Sequence, residues 1–181
     1  MNEKTSDSQY MYMRNDVFIP QMLKLVEMGH RVTIRACGWS MRPFIEHNRD
    51  ELIFGAVKGP VKKGDVVLAE ITPGVYVCHR VDAVGDQRLR LRGDGNVEQT
   101  EICGKDDVKA VLESVVRKGK TYDLSTSRVW RVYSWWWVRL LPARRHLLTA
   151  YRLIWLHVLP SSVRKWIPKS IRGKIKLLMS R

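Results

Sequence analysis

Residues 66–81 read VVLAEITPGVYVCHRV, and this stretch decides the class of fold. Two runs rich in β-branched residues, 66–71 and 75–81, flank a Pro73-Gly74 turn, and this pattern predicts two successive strands. Comparable runs, separated by turns that contain Gly, Asp or Pro, occupy residues 31–37, 51–57, 88–92 and 110–116. Short strands at this spacing predict a mainly β domain, built as a coiled sheet or a barrel.

A short helix is predicted ahead of the strands. Asn15 and Asp16 can cap its beginning and Gly29 can end it. Its apolar residues at roughly helical spacing are expected to face inward: Val17, Met22, Leu25 and Val26. The polar residues 1–14 predict a mobile arm.

Charge divides the rest of the chain. The 181 residues carry a net charge of +14, yet residues 1–123 hold 19 Lys and Arg against all 18 Asp and Glu. Residues 124–181 hold the other 13 Lys and Arg and six of the seven Trp. We therefore expect a near-neutral β body over residues 15–123 and a basic, Trp-rich tail over residues 124–181.

The tail contains a predicted amphipathic helix between Pro142 and Pro160. Its apolar stripe comprises Leu147, Leu148, Tyr151, Ile154, Trp155 and Val158. Basic side chains combined with tryptophan suit an anionic membrane surface. The alternatives are a stripe that packs on the β body, a protein-docking segment and a nucleic-acid-binding segment. Because no nucleic-acid-binding module is recognisable, we expect no nucleic-acid partner.

Several classes are excluded by composition. No charge-free apolar run of 18 residues predicts a membrane-spanning helix, and no signal peptide is recognisable. The 3 cysteines form no disulfide framework, which favours a reducing compartment. Cys37 and Cys78 are expected in the core, with a redox pair as the alternative. The histidines lack metal-ligand spacing, so we expect neither a metal nor a cofactor.

One trio of residues can carry nucleophilic catalysis. Ser40 lies between Gly38 and Pro43, in a break between strands that can present a hydroxyl. A serine needs a base, and His79 ends a strand that can return beside it. Asp94, in the turn GDGN, can orient the imidazole. The non-catalytic alternatives are that Ser40 and Asp94 only form turns and that His79 packs on Tyr76.

The local strings are more specific than the spacing. GWSMRP (residues 38–43) resembles the G-x-S-M-x-P serine box of the signal peptidase I family. DELIF (50–54) and GDVV (64–67) look like the two strand boxes that follow in this family. VCHRV (77–81) resembles the family's H-R-V box, and GDGN (93–96) is similar to its G-D-x-N box. The resemblance implies the signal-peptidase fold and a serine endopeptidase that removes a leader segment from a protein or peptide. It implies Ser40 as nucleophile and His79 as base, as in the branch of archaea and the endoplasmic reticulum.

The chain departs from the family pattern at three places. Gly38 replaces a serine whose hydroxyl can donate to the oxyanion, and Thr100 replaces a further aspartate. The third catalytic residue is therefore expected to be Asp94 first and Glu101 second. The tail predicts a membrane-associated protein, and since no spanning anchor precedes Ser40 we expect its body to face the cytoplasm. A peptidase that trims the leader of one specific peptide product is the variant of this prediction. The alternative is an inactive membrane-surface adaptor with the same fold.

Overall fold

The chain is mainly β with an N-terminal helix, as the sequence predicts. The computed structural model describes residues 15–158. In order, the elements are α1 (Asn15–Glu27), β1 (Val32–Arg35), β2 (Glu51–Gly55), β3 (Val66–Thr72), β4 (Val75–Val84), β5 (Arg88–Arg92), β6 (Glu101–Gly104), β7 (Val108–Arg117), β8 (Lys120–Asp123), α2 (Arg128–Arg139) and α3 (Arg144–Val158). The predicted arm and the end of the tail lie outside the described residues.

The eight strands form one antiparallel sheet. Its order is β1-β2-β7-β3-β4-β5-β6, and β8 pairs with β7. The sheet does not close on itself, so it is not a barrel. Strands β6 and β8 were not predicted from the sequence. Each has only four residues, which is too few for a clear alternation of apolar and polar side chains.

The hairpin that decided the fold sits near the middle of the sheet. β3 pairs with β4 so that Val66 lies opposite Arg80 and Val67 opposite His79. Successive side chains of a strand point to opposite faces. Val66 accordingly belongs to one hydrophobic cluster, with α1 and Trp130, while Val67 belongs to a second cluster. The two faces of this hairpin therefore have different surroundings.

The inward face of α1 differs from the predicted one. Val17 and Leu25 are each 47% exposed, whereas Met22 and Val26 are buried as expected. Ile19 and Leu23 are also buried. Residues 19, 22, 23 and 26 follow the i, i+3, i+4, i+7 spacing of a single helical stripe, and Val17 and Leu25 fall outside it.

The chain divides into two compact units at Arg139 and Leu140. Helix α2 therefore belongs with the sheet, and Trp130 and Trp137 are buried in that unit. Residues 124–139, the first part of the predicted tail, thus pack against the β body. None of the helices in the described range 15–158 has the length and apolar character needed to cross a membrane.

Helix α3 belongs to the second unit and matches the helix predicted between Pro142 and Pro160. Leu148 of the predicted stripe is buried, while Leu147 is 40% exposed. The side chains at the other end of the stripe, Ile154, Trp155 and Val158, lie outside the described part of the chain.

Candidate active site

Ser40 lies in a well-anchored loop between β1 and β2. The loop is closed where the Ala36 N–H donates to the Asp50 carbonyl oxygen and the Asn48 N–H donates to the Ala36 carbonyl oxygen, both at 2.8 Å. Its apolar residues Met41, Phe44 and Ile45 are buried in the first hydrophobic cluster. Ser40 itself remains partly exposed. The loop therefore fixes the backbone of Ser40 while leaving its side chain reachable.

The GDGN turn packs directly against Ser40. The Gly95 N–H donates to the Ser40 carbonyl oxygen at 2.6 Å. A Cβ atom built on Gly93 would lie 2.5 Å from that oxygen and 3.0 Å from the Cβ of Ser40. A Cβ atom on Gly95 would lie 2.8 Å from the carbonyl oxygen of Trp39. Both glycines are needed because any side chain would push this loop away.

Strand register brings His79 to the same place. Arg80 lies opposite Arg92 in the β4–β5 pair, and Gly93 follows Arg92 directly. Continuing this register puts His79 across from Gly93, where the two residues share a face of the sheet. Since a Cβ atom on Gly93 would also meet Ser40, both Ser40 and His79 adjoin Gly93. Within residues 15–158, no hydrogen bond joins the Ser40 hydroxyl to the His79 imidazole.

Glu101 is the acidic partner of His79. The Nδ1 atom of His79 lies 2.8 Å from Oε2 of Glu101, and both side chains are largely buried. Glu101 stands opposite Leu91 in the β5–β6 pair, on the face that His79 and Gly93 share. The amide of Gln99 donates to the other oxygen, Oε1, at 3.1 Å. A proton on Nδ1 satisfies this carboxylate and leaves Nε2 as an acceptor.

Asp94 has a different partner from the expected one. Its carboxylate accepts hydrogen bonds from Nε and Nη2 of Arg80 at 2.8 and 2.7 Å. Arg80 follows His79 on β4, so its side chain points to the opposite face. The sequence ranked Asp94 ahead of Glu101 as the residue that orients His79, and in the structure His79 is hydrogen-bonded to Glu101 whereas Asp94 is paired with Arg80.

Helix α2 completes the Asp94 site. The hydroxyl of Tyr133 donates to Oδ2 of Asp94 at 2.8 Å, and Nε1 of Trp137 donates to the Asp94 carbonyl oxygen at 3.1 Å. Arg80 also donates to Ser134, and its guanidinium lies 5.1 Å from the ring centroid of Trp130. Sequence reasoning missed this role of α2. Aromatic residues at 130, 133 and 137 follow helical spacing and were the available signal.

The Arg80–Asp94 pair is nearly inaccessible to water. Arg80 is 2% and Asp94 is 1% exposed. Burial lowers the pKa of Arg80, but Asp94 and then Tyr133 raise it, so the net pKa lies above its ordinary value and the guanidinium stays charged. Burial, reinforced by the charge of Asp94 and opposed by that of Arg80, raises the pKa of the Cys78 thiol to about 12. Removing either member of such a pair leaves a buried, uncompensated charge.

The residues before Ser40 bear on how an oxyanion can be held. Gly38 adopts a φ of 101°, and its N–H donates to Nδ1 of His47 at 3.0 Å. Gly38 therefore offers no hydroxyl, and its amide is already engaged. Trp39 is 47% exposed and packs edge-on against His47. The backbone amides of Ser40 and Met41 are the donors nearest to the hydroxyl, since the amide of Arg42 already donates to the Trp39 carbonyl oxygen at 3.2 Å.

One cleft of the described residues lies away from these side chains. It has a volume of about 990 Å³ and lies between α2 and the strands β3 and β7, with Trp130, Trp135 and Arg139 among its lining residues. Ser40, His79 and Glu101 do not line it. Across residues 15–158, no group of three or more His, Cys, Asp or Glu side chains is arranged to hold a metal ion.

Comparisons with known proteins add no assignment. The chain matches no protein-family model, and neither the curated proteins nor the solved structures gave a match.

Proposed function

We propose that the chain is a serine endopeptidase of the signal-peptidase type, which removes a leader segment from a protein or peptide. The observation that carries the proposal is the hydrogen bond from His79 to Glu101, on the sheet face where Gly93 touches Ser40. A nucleophile, a base and an acid that orients the base are the three parts of a hydrolytic triad. Ser40, His79 and Glu101 fill these roles.

The first half of the reaction forms an acyl-enzyme. Nε2 of His79 accepts the hydroxyl proton as Oγ of Ser40 bonds to the scissile carbonyl carbon. The charge that develops on the imidazole is balanced by Glu101 through Nδ1. The carbonyl oxygen becomes an oxyanion, which the backbone N–H of Ser40 and of its neighbour stabilise. The C–N bond then breaks as His79 returns the proton to the leaving amine.

The second half releases the acyl group. A water molecule gives a proton to Nε2 of His79 and bonds to the acyl carbon. The tetrahedral species collapses, the C–Oγ bond breaks, and the proton returns to Ser40. The family resemblance adds a preference for small residues before the cut.

The test is cleavage of a panel of leader peptides by the purified full chain, with anionic vesicles present. We expect cleavage by the wild type and by Ser125→Ala, a matched change at an exposed serine outside the site. Ser40→Ala and His79→Ala should each abolish it. Cleavage that survives Ser40→Ala would overturn the proposal.

A second candidate is a peptide-binding adaptor without activity. The observation that favours it is Gly38, which lacks the hydroxyl of the family pattern and whose amide is engaged by His47. An adaptor would bind leader peptides with equal affinity as wild type and as Ser40→Ala and would leave them intact. Peptide binding measured by fluorescence anisotropy, followed by mass analysis of the peptide, separates the two functions.

A further inference from the structure

The outward face of α2 is unusually apolar and basic for a surface. Val129, Val132 and Trp136, which follow i, i+3, i+7 spacing, are 54%, 58% and 52% exposed. Arg128, Arg131 and Arg139 are exposed beside this stripe, and the last two also border the cleft between α2 and the strands β3 and β7. The helix has no acidic residue at all. We refer to these six residues as the outer face of α2.

The opposite face of α2 is packed inside the first compact unit. Trp130 and Trp137 are buried, and Tyr133 donates to Asp94. Because the inner side of α2 already packs in the core of the first compact unit, the exposed residues of the outer face are not needed to complete that core. Its aromatic and aliphatic side chains remain in water within the first compact unit.

We propose that the outer face of α2 is a docking surface for an anionic lipid bilayer. Valine and tryptophan side chains enter the boundary between headgroups and acyl chains, and arginines beside them meet the anionic headgroups. The charge is complementary, because α2 carries three arginines and residues 140–181 add ten Lys and Arg without an acid. A nucleic acid would satisfy the arginines but would leave the apolar stripe in water.

The membrane contact on α2 involves fewer residues than the sequence predicts. The sequence pointed to the whole tail, including all its tryptophans. The structure removes Trp130 and Trp137 from that surface, because they are buried against the β body. Within residues 124–139, the contact is confined to one side of one helix.

Together with the proposed function, on which this step rests, a membrane contact on α2 places the catalytic residues near the bilayer. The inner side of α2 holds Asp94, and the turn around Asp94 supports Ser40. The bilayer surface would thus lie about one helix diameter, roughly 10 Å, from the Arg80–Asp94 pair. A leader segment that lies in the membrane would be cut close to its exit from the lipid.

The test is co-sedimentation of the full chain with vesicles, which requires no activity. One set contains phosphatidylglycerol and phosphatidylcholine in equal parts, and the other contains phosphatidylcholine alone. We expect binding to the mixed vesicles that weakens with salt. Val132→Glu should weaken it at least about tenfold, since it places an acid in the apolar stripe.

The matched control is Val75→Glu. Val75 is 47% exposed on β4, so this variant makes the same change in net charge away from α2. Its binding should stay within about twofold of wild type. Equal loss in both variants, no loss in Val132→Glu, or no binding by the wild type would overturn the proposal. So would a Val132→Glu variant that loses affinity for duplex DNA while its vesicle binding is unchanged.

Discussion

Nδ1 of His79 and Oε2 of Glu101 lie 2.8 Å apart, although β5 separates their strands in the sheet. The contact spans this neighbour because His79, Gly93 and Glu101 share one face. It fixes which nitrogen of the imidazole carries the proton, and therefore which nitrogen faces a nucleophile.

Glu101→Gln tests the role of this carboxylate. The neutral amide can no longer stabilise a charged imidazole, so kcat should fall about 10²–10⁴-fold with little change in KM. Glu98→Gln removes an exposed acid nearby and should retain wild-type kinetics. Full activity in Glu101→Gln, together with a folded but inactive Asp94→Asn, would return the orienting role to Asp94.

Gly93→Ala tests the support beneath the nucleophile. The added methyl group would collide with the carbonyl oxygen and Cβ of Ser40, at 2.5 and 3.0 Å. We expect lost cleavage and a decrease of about 1–3 kcal/mol in the free energy of unfolding. Gly59→Ala meets no atom within 4 Å and serves as the control in chemical denaturation and activity assays. An active, equally stable Gly93→Ala would contradict this packing.

Tyr133→Phe tests whether α2 holds the Asp94 turn. It removes a hydrogen bond to a buried carboxylate, and loss of a bond to a charged group costs about 1.5–3 kcal/mol. Tyr122→Phe keeps the ring that packs on Phe44 and should be near neutral. Both are measured by urea denaturation. Equal stability of the two variants would show that Asp94 does not depend on Tyr133.

The cysteines should differ in reactivity toward alkylating agents. Only the thiolate reacts, and burial raises the pKa of Cys78 to about 12 and also raises the pKa of Cys103. Both therefore remain protonated at pH values well below those pKa values, whereas Cys37 is exposed. Iodoacetamide at pH 8 should modify Cys37 first, with the other two modified only after unfolding. Rapid labelling of Cys78 in the folded protein would contradict its raised pKa.

Much of the fold was readable from sequence because alternating β-branched residues specify strands directly. The strands on either side of Pro73-Gly74 and the strand at residues 88–92 formed as predicted. The four-residue strands β6 and β8 carry too little pattern to be recognised. Helix α2 was predicted to be part of the tail because the prediction used the total charge and the number of tryptophans in residues 124–181. It did not consider which face of a helix each tryptophan would occupy.

The candidate site was predictable in its residue types but not in its pairing. Ser40 and His79 are separated by 39 positions, and only strand register brings both to Gly93. The choice between Asp94 and Glu101 depends on which face each side chain occupies. Because Arg80 is adjacent to His79 and faces the other way, it pairs with Asp94, and Glu101 remains for the imidazole. Neither register nor pairing is encoded in a local motif.

The most direct test of the proposed peptidase activity is covalent capture of Ser40 by a serine-directed aryl phosphonate, read by intact and peptide mass spectrometry. We expect one adduct on Ser40 in the wild type and no adduct in Ser40→Ala. The adduct should form much more slowly in His79→Ala and Glu101→Gln. An unmodified wild type, or an adduct that forms equally fast without His79, would contradict the proposed activity.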